Sequence, residues 1–237
     1  MTEPSRTLTR RIARRLRLEL RRMHGRAVLR LGAARSKPLC GDFAGTRGKS
    51  IDRHYIERFI GEHAHDVRGR VLEVEDDRYS RQFGGTRVTR QDILHVHGNA
   101  RSTIVGDLTK PGVLPPASFD CVIFTQTLHL IFDMAAALEQ IHRSLKPGGV
   151  ALITVPGITP VDRGEWKNSW YWSLTEHSLR PLMSGPFDPA KVSVSTHGNL
   201  YAATTFLLGA SLQEVSKAKL EPLDEAFPVT IAARAVA

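Results

Sequence analysis

The chain predicts an α/β fold built on a largely parallel sheet. Short apolar runs at 71–74, 93–96, 103–105, 119–125 and 150–155 alternate with stretches of helical periodicity, the grammar of repeated βαβ units. Phe119–Thr125 is apolar almost throughout, as a central strand buried on both faces requires. Carboxylates recur at or beside the ends of these runs, at Glu73, Asp92 and Asp107. In open parallel sheets ligands bind beyond the carboxyl ends of the strands, so these acids point to a site there.

Each element follows from its residues. Ile51, Tyr55, Phe59 and Ile60 share one face of a helix over 51–63. The first strand, Val71–Val74, runs into Glu75-Asp76-Asp77, and glycines come only at Gly84-Gly85. Ile93–Val96 is a second strand, closed by a turn at Gly98-Asn99, and Thr103–Val105 a third. Phe119–Thr125 is the fourth. Met134–Ser144 is an amphipathic helix ended by Lys146-Pro147-Gly148. Val150–Val155 is the next strand, then a helix over Leu174–Leu182, a strand over Lys191–Thr196 and a last strand over Pro228–Val236. About thirty residues, 198–226, intervene before that last strand and include a helical stretch at Leu200–Ser211.

The net charge of +9 belongs to one end. Residues 1–37 carry eleven Arg and Lys37 against Glu3 and Glu19, leaving the remaining 200 residues at −1. Leu8, Ile12, Leu16, Leu20 and Met23 recur at helical spacing among those arginines, which predicts a basic amphipathic arm ending near Gly25 or continuing weakly to Gly32. Such an arm suits an anionic membrane surface, nucleic acid or an acidic protein partner, or it is a solvated extension. Nucleic acid is the weakest of these, because the body lacks a basic excess. Residues 38–50, rich in Gly and Pro, read as a linker to a domain over 51–237. Two cysteines exclude a disulfide scaffold, and no apolar run is long enough to span a bilayer. The arm has no apolar core of the secretory kind, so a cytoplasmic protein, peripheral at the membrane if the arm binds lipid, is expected. His63/His65 and His95/His97 could each chelate, but neither has a third ligand nearby, and no metal is expected.

Arg68–Val74, Ile104-Val-Gly-Asp-Leu108, Ser118–His129 and above all the Leu145-Lys-Pro-Gly-Gly149 turn together resemble the class I S-adenosylmethionine (SAM) dependent methyltransferases of the broad type 11 kind. The resemblance covers roughly residues 45–237 and implies a Rossmann-like, mostly parallel seven-stranded sheet with helices on both faces. It implies SAM as cofactor. It would assign Glu73 to the methionine ammonium, Asp92 to the ribose hydroxyls, and Asp107 with Leu108 to the adenine. Asp76 falls in the cofactor loop, and Thr125 and Gln126 line the path from sulfonium to acceptor. His129 is the candidate general base. Trp170, Tyr171 and Trp172 would form an acceptor pocket, with Trp166 nearby.

One departure stands out. The family follows its first acid with Gly-x-Gly, and here Glu75, Asp76 and Asp77 stand there instead. Three carboxylates would repel a pyrophosphate, which argues against a dinucleotide, while SAM carries cations and no phosphate. Gly45–Glu57, the 75–85 loop and Thr125-Gln-Thr-Leu128 further resemble a bacterial subgroup that often accompanies glycosyltransferases. That subgroup suggests O-methylation of a hydroxylated acceptor such as a glycan, sugar or natural product. The alternatives are a non-catalytic methyltransferase-like binding or scaffold domain and, third, a nucleic-acid methyltransferase.

Overall fold

The structure, a computed structural model, describes residues 14–26 and 36–237; Leu8, Ile12 and the continuation to Gly32 lie outside them. Seven strands form one sheet: β1 (Gly69–Val74), β2 (Val88–His95), β3 (Ile104–Val105), β4 (Phe119–Thr125), β5 (Leu145–Pro156), β6 (Val192–His197) and β7 (Thr230–Val236). Their order is β3-β2-β1-β4-β5-β7-β6. The first five pair in parallel, and β7 runs antiparallel between β5 and β6.

Period-two alternation splits the core into two layers. Leu72, Val122 and Phe124 face one side, where Leu138 and Ile141 of α3 (Met134–Ser144) and Leu179 of α4 (Glu176–Met183) cover them. Val71, Cys121 and Ile123 face the other, against Ile56, Phe59 and Ile60 of α2 (Asp52–Glu62). Helices on both faces leave the sheet no wet side. α3 starts where the Asp133 side chain accepts the Ala136 amide, satisfying one orphan donor of the first turn. The Lys146–Gly149 turn is a bulge at the start of β5, because pairing jumps from Phe119↔Leu145 to Cys121↔Val150. Gly148 has φ 77°, and a Cβ at Gly149 would sit 3.0 Å from the Phe119 carbonyl, so both glycines are needed.

One boundary differs from expectation in a way that matters for the site. β2 starts at Val88, because backbone pairing with β1 carries the strand through Thr89, Arg90 and Gln91, where apolar periodicity is silent. Asp92 therefore lies in mid-strand, opposite Leu72, and not at a strand end.

The insertion and the presumed linker are structural. α5 (Leu200–Leu207) is capped by Asn199, and Ala202, Ala203, Phe206 and Leu212 form a third apolar cluster with Ile51 and Tyr55. Residues 39–50 lie along it: the Leu39 amide donates to Leu208, the Leu212 amide donates to Lys49, and Ser50 bridges Ser211. Residues 14–26 are helical (α1), and the helix docks through Leu18, Arg22 and Gly25. Gly25 lies buried one residue before the end of the described helix, and a Cβ there would collide with Glu214 and Arg47. Arg47 ties the three segments. Its Nε donates to Glu214 Oε2 at 3.1 Å, its Nη2 to Oε1 and, at 2.6 Å, to the Arg21 carbonyl. Arg47→Ala leaves Glu214 buried without its cation, and we expect a loss of about 3–5 kcal/mol in urea unfolding. The apolar double variant Arg47→Met/Glu214→Leu should lose much less.

Candidate active site

Beyond the carboxyl ends of β1, β2 and β4 lies a cleft of about 780 Å³. The three strands are adjacent in the sheet, so residues far apart in sequence meet at one rim. Glu73, Asp76, Asp107, Leu108, Thr125, Gln126, His129, Trp170 and Tyr171 all line it. Asp92 and Trp172 do not.

Glu73 ends β1 almost fully buried, and its two oxygens accept the amides of Tyr79 (2.9 Å) and Ser80 (2.8 Å). These bonds fold the 75–87 loop back over the strand. Burial raises the Glu73 carboxyl to about 7 against the pull of those amides. A carboxylate expected to hold a ligand ammonium is thus first a fixture of the loop.

The acidic loop is less acidic than it reads. Asp76 pairs with Arg78 at 3.1 Å, and the buried Asp77 pairs with Arg81 and Arg101. Glu75 keeps an open side chain whose Oε1 lies 3.5 Å from His95 Nε2. Glu75 has φ 72°, the left-handed turn a glycine would take. The loop has kept the glycine turn without the glycine.

Asp92 is consumed elsewhere. Arg70 Nε donates to it at 2.7 Å, Arg90 lies at 3.3 Å and the Thr103 hydroxyl donates at 3.1 Å. Burial opposes its charge, and those donors hold its carboxyl below the usual range. Its assignment to a ribose is corrected: Asp92 ties β2 to β1 and β3, and β2 reaches the cleft with His95, Val96 and His97. Asp107 follows β3, and one of its oxygens accepts the Thr109 amide at 2.9 Å.

Beyond β4 the chain makes a second strained turn, Gln126 at φ 48°, pinned by its amide donating to the Thr154 carbonyl. Non-glycine residues in this region cost on the order of 1–3 kcal/mol each and concentrate at functional sites. His129 follows in a short 3₁₀ turn, fully buried, its ring edge-on to Trp170 with centroids 4.4 Å apart. Among the described residues neither ring nitrogen has a protein partner, nor has the side-chain amide of Gln126 or Trp170 Nε1. Burial alone lowers His129 to about 4. Trp170 stacks on Phe43, which also meets Phe206 of α5. Trp172 instead donates its indole N–H to the Ile131 and Phe132 carbonyls and packs on the α3 layer, so it braces the pocket from outside.

Several lining residues carry no local signal. Phe43 lies in the presumed linker, and Arg53 and Tyr79, bonded at 2.7 Å, lie on α2 and in the loop. His95 was conspicuous only as half of a His-x-His pair.

Six carboxylates and two guanidinium groups line the cleft, a balance that suits a cationic ligand without phosphate. The orphaned polar atoms of Gln126, His129 and Trp170 give such a ligand unclaimed partners. The sequence matches a methyltransferase domain family over residues 26–205, most of the chain, and the protein belongs to that family. S-adenosylmethionine is its cofactor. The fold is shared with a SAM-dependent methyltransferase from Archaeoglobus fulgidus, at 12% identity and TM-score 0.51 over 78% of this chain and 94% of that one. Similar structures include a SAM-dependent methyltransferase from Mesorhizobium loti (16%, TM-score 0.49, 79% of this chain and 98% of that one). Another is the SAM complex of phosphoethanolamine N-methyltransferase 2 from Haemonchus contortus (17%, TM-score 0.45, 79% and 57%). No curated protein matches the sequence.

His129 sets a pH dependence of stability. Its folded value of about 4 lies below the ordinary 6.5, so the unfolded chain binds the proton more tightly. The stability is complete above about 6.5 and falls as pH drops toward 4, by about 3 kcal/mol. In His129→Phe the urea midpoint should fall less steeply over that window than in the unaltered protein.

Proposed function

We propose that this methyltransferase methylates an oxygen of a hydroxylated acceptor, a sugar, glycan or natural product, in the cytoplasm. The observation that carries this reading is His129, a neutral, buried imidazole with two unpartnered nitrogens on the acceptor side of the cleft. When bound, the cofactor supplies an electrophilic methyl group on a sulfonium. His129 would accept the proton of the acceptor hydroxyl during methyl transfer and release it to water afterwards. Thr125 and Gln126 line the approach, and the Gln126 amide offers the hydroxyl both a donor and an acceptor. Trp170 and Tyr171 offer faces on which a ring can stack, and Phe43 with Phe206 excludes water above them. On the cofactor side Asp107 and Leu108 take the adenine, Asp76 lies in the loop, and Glu73 reaches the methionine end through the loop it holds.

Asp107→Ala should weaken SAM binding about ten- to hundredfold by calorimetry, the loss of one charge-assisted hydrogen bond. In a screen of glycans and hydroxylated small molecules, His129→Ala should cut turnover by roughly 10²–10⁴ while SAM affinity holds. Turnover of the unaltered enzyme should stay level down to pH 5 and decline toward the His129 value of about 4. A protein that binds SAM yet methylates nothing in such a screen would favour the non-catalytic alternative.

The arm has its own reading. Leu18, Arg22 and Gly25 face the body, while Leu16, Leu20 and Met23 form a stripe more than 60% exposed, flanked by exposed Arg14, Arg15, Arg17 and Arg21. An apolar stripe rimmed with arginines fits an anionic bilayer, where each cation near the surface contributes about 1 kcal/mol. Leu16→Ser/Leu20→Ser/Met23→Ser spares the docked face and should abolish sedimentation with phosphatidylserine vesicles at unchanged melting temperature. Salt-sensitive binding to nucleic acid that survives these substitutions would redirect the arm to that partner.

A further inference from the structure

Five acids stand near the cofactor end of the cleft; Asp107 follows β3 at the adenine end, and three of the four around the end of β1 are spoken for. Glu73 accepts two amides, and Asp76 and Asp77 pair with arginines. Asp92, the remaining acid of the neighbouring strand, is locked between Arg70, Arg90 and Thr103. Glu75 alone projects a half-exposed carboxylate from the end of β1, with the His95 imidazole beside it at 3.5 Å.

Its surroundings aim it. The pairing Glu73↔Ile93 and Val74↔Leu94 sets Glu75 opposite His95 at the ends of two adjacent parallel strands. The Glu75 amide donates to the Leu94 carbonyl at 3.0 Å, which pins the left-handed turn. His95 is itself oriented: its Nδ1 accepts the His97 amide at 3.1 Å, so Nε2 carries the ring proton and points to Glu75 Oε1 at 3.5 Å. His95 is almost buried, with Trp166 packed beside it. A strained backbone, a buried imidazole and an open carboxylate make a preorganised acceptor facing the cleft.

A carboxylate accepts two hydroxyl hydrogen bonds at once, which matches a vicinal diol. We propose that Glu75, positioned by His95, holds the ribose hydroxyls of the cofactor, in place of an acid at the end of β2. This rests on SAM being the cofactor. A residue that breaks the glycine pattern is then a rebuilt subsite and not merely a tolerated change.

Calorimetry with S-adenosylhomocysteine and with its 2′-deoxy counterpart tests it. The unaltered protein should prefer the hydroxylated compound about tenfold or more. Glu75→Gly, which restores the residue the turn favours, should melt no lower in the absence of ligand. It should bind S-adenosylhomocysteine roughly ten- to hundredfold more weakly and lose the preference for the 2′-hydroxyl. His95→Gln should lose part of that preference while Glu75→Asp retains part of it. Glu75→Gly binding as tightly as the unaltered protein, with its preference intact, overturns the assignment and leaves the cofactor reading standing. If the unaltered protein binds neither compound at millimolar concentration, the cofactor reading fails and this assignment with it.

Discussion

The site depends on one buried carboxylate. Glu73 ends the first strand where solvent is excluded, and the Tyr79 and Ser80 amides satisfy its two oxygens. Those bonds reverse the chain, so thirteen residues that could have formed a helix between β1 and β2 become a tight loop with one π-helical and one 3₁₀ turn. Without that reversal Glu75 would not lie in register with His95, and Asp77 would not reach Arg101 across the rim. The cost of burying Glu73 shows in its raised carboxyl, held near neutrality. A ligand that brings a positive charge to this end of the cleft would favour its ionised form.

The two ends of the cleft solve different electrostatic problems. The cofactor end is rich in carboxylates, yet most are neutralised locally, so the net field is gentler than the composition of the loop indicates. The end around His129 and Trp170, proposed for the acceptor, holds few charges. Its polar atoms are neutral and unpartnered, and aromatic rings surround them. A neutral pocket next to an acid-rich one keeps His129 uncharged, since burial with no counter-charge disfavours imidazolium. The same burial makes His129 a weak base, which suits the role proposed for it only in a reaction whose difficulty lies in alignment more than in proton removal.

The segments outside the sheet act together. Arg47 joins α1, the 39–50 stretch and the insertion at one buried ion pair, and Phe43, four residues earlier, stacks on Trp170 over the cleft. The surface of α1 and the roof of the cleft are thus tied to the same short segment. The fold gives the arm a docked face and a free face, and only the docked face belongs to the core.

The sequence by itself determined the sheet. Apolar runs at 119–125 and 150–155, the helix at 134–144 and the Lys-Pro-Gly-Gly turn each carry their signal locally, in periodicity or in a backbone conformation only glycine tolerates. The acids at Glu73 and Asp107, together with Gln126 and His129, were legible as candidates for the same reason: they follow strands. Tertiary structure decided the rest. Asp92 reads as a strand-end acid because the polar start of β2 has no apolar pattern; only pairing with β1 shows it to be mid-strand and bonded to Arg70. Gly25 reads from the sequence as a helix stop, and only the tertiary structure shows that it also packs against Arg47 and Glu214. Phe43 reads as linker, and Glu75 as a lost glycine, because neither the roof of a cleft nor the partner of a carboxylate is a local property. A chain specifies local geometry through neighbours a few residues apart. Which charge meets which partner is settled by strands that the sequence separates and the sheet brings together.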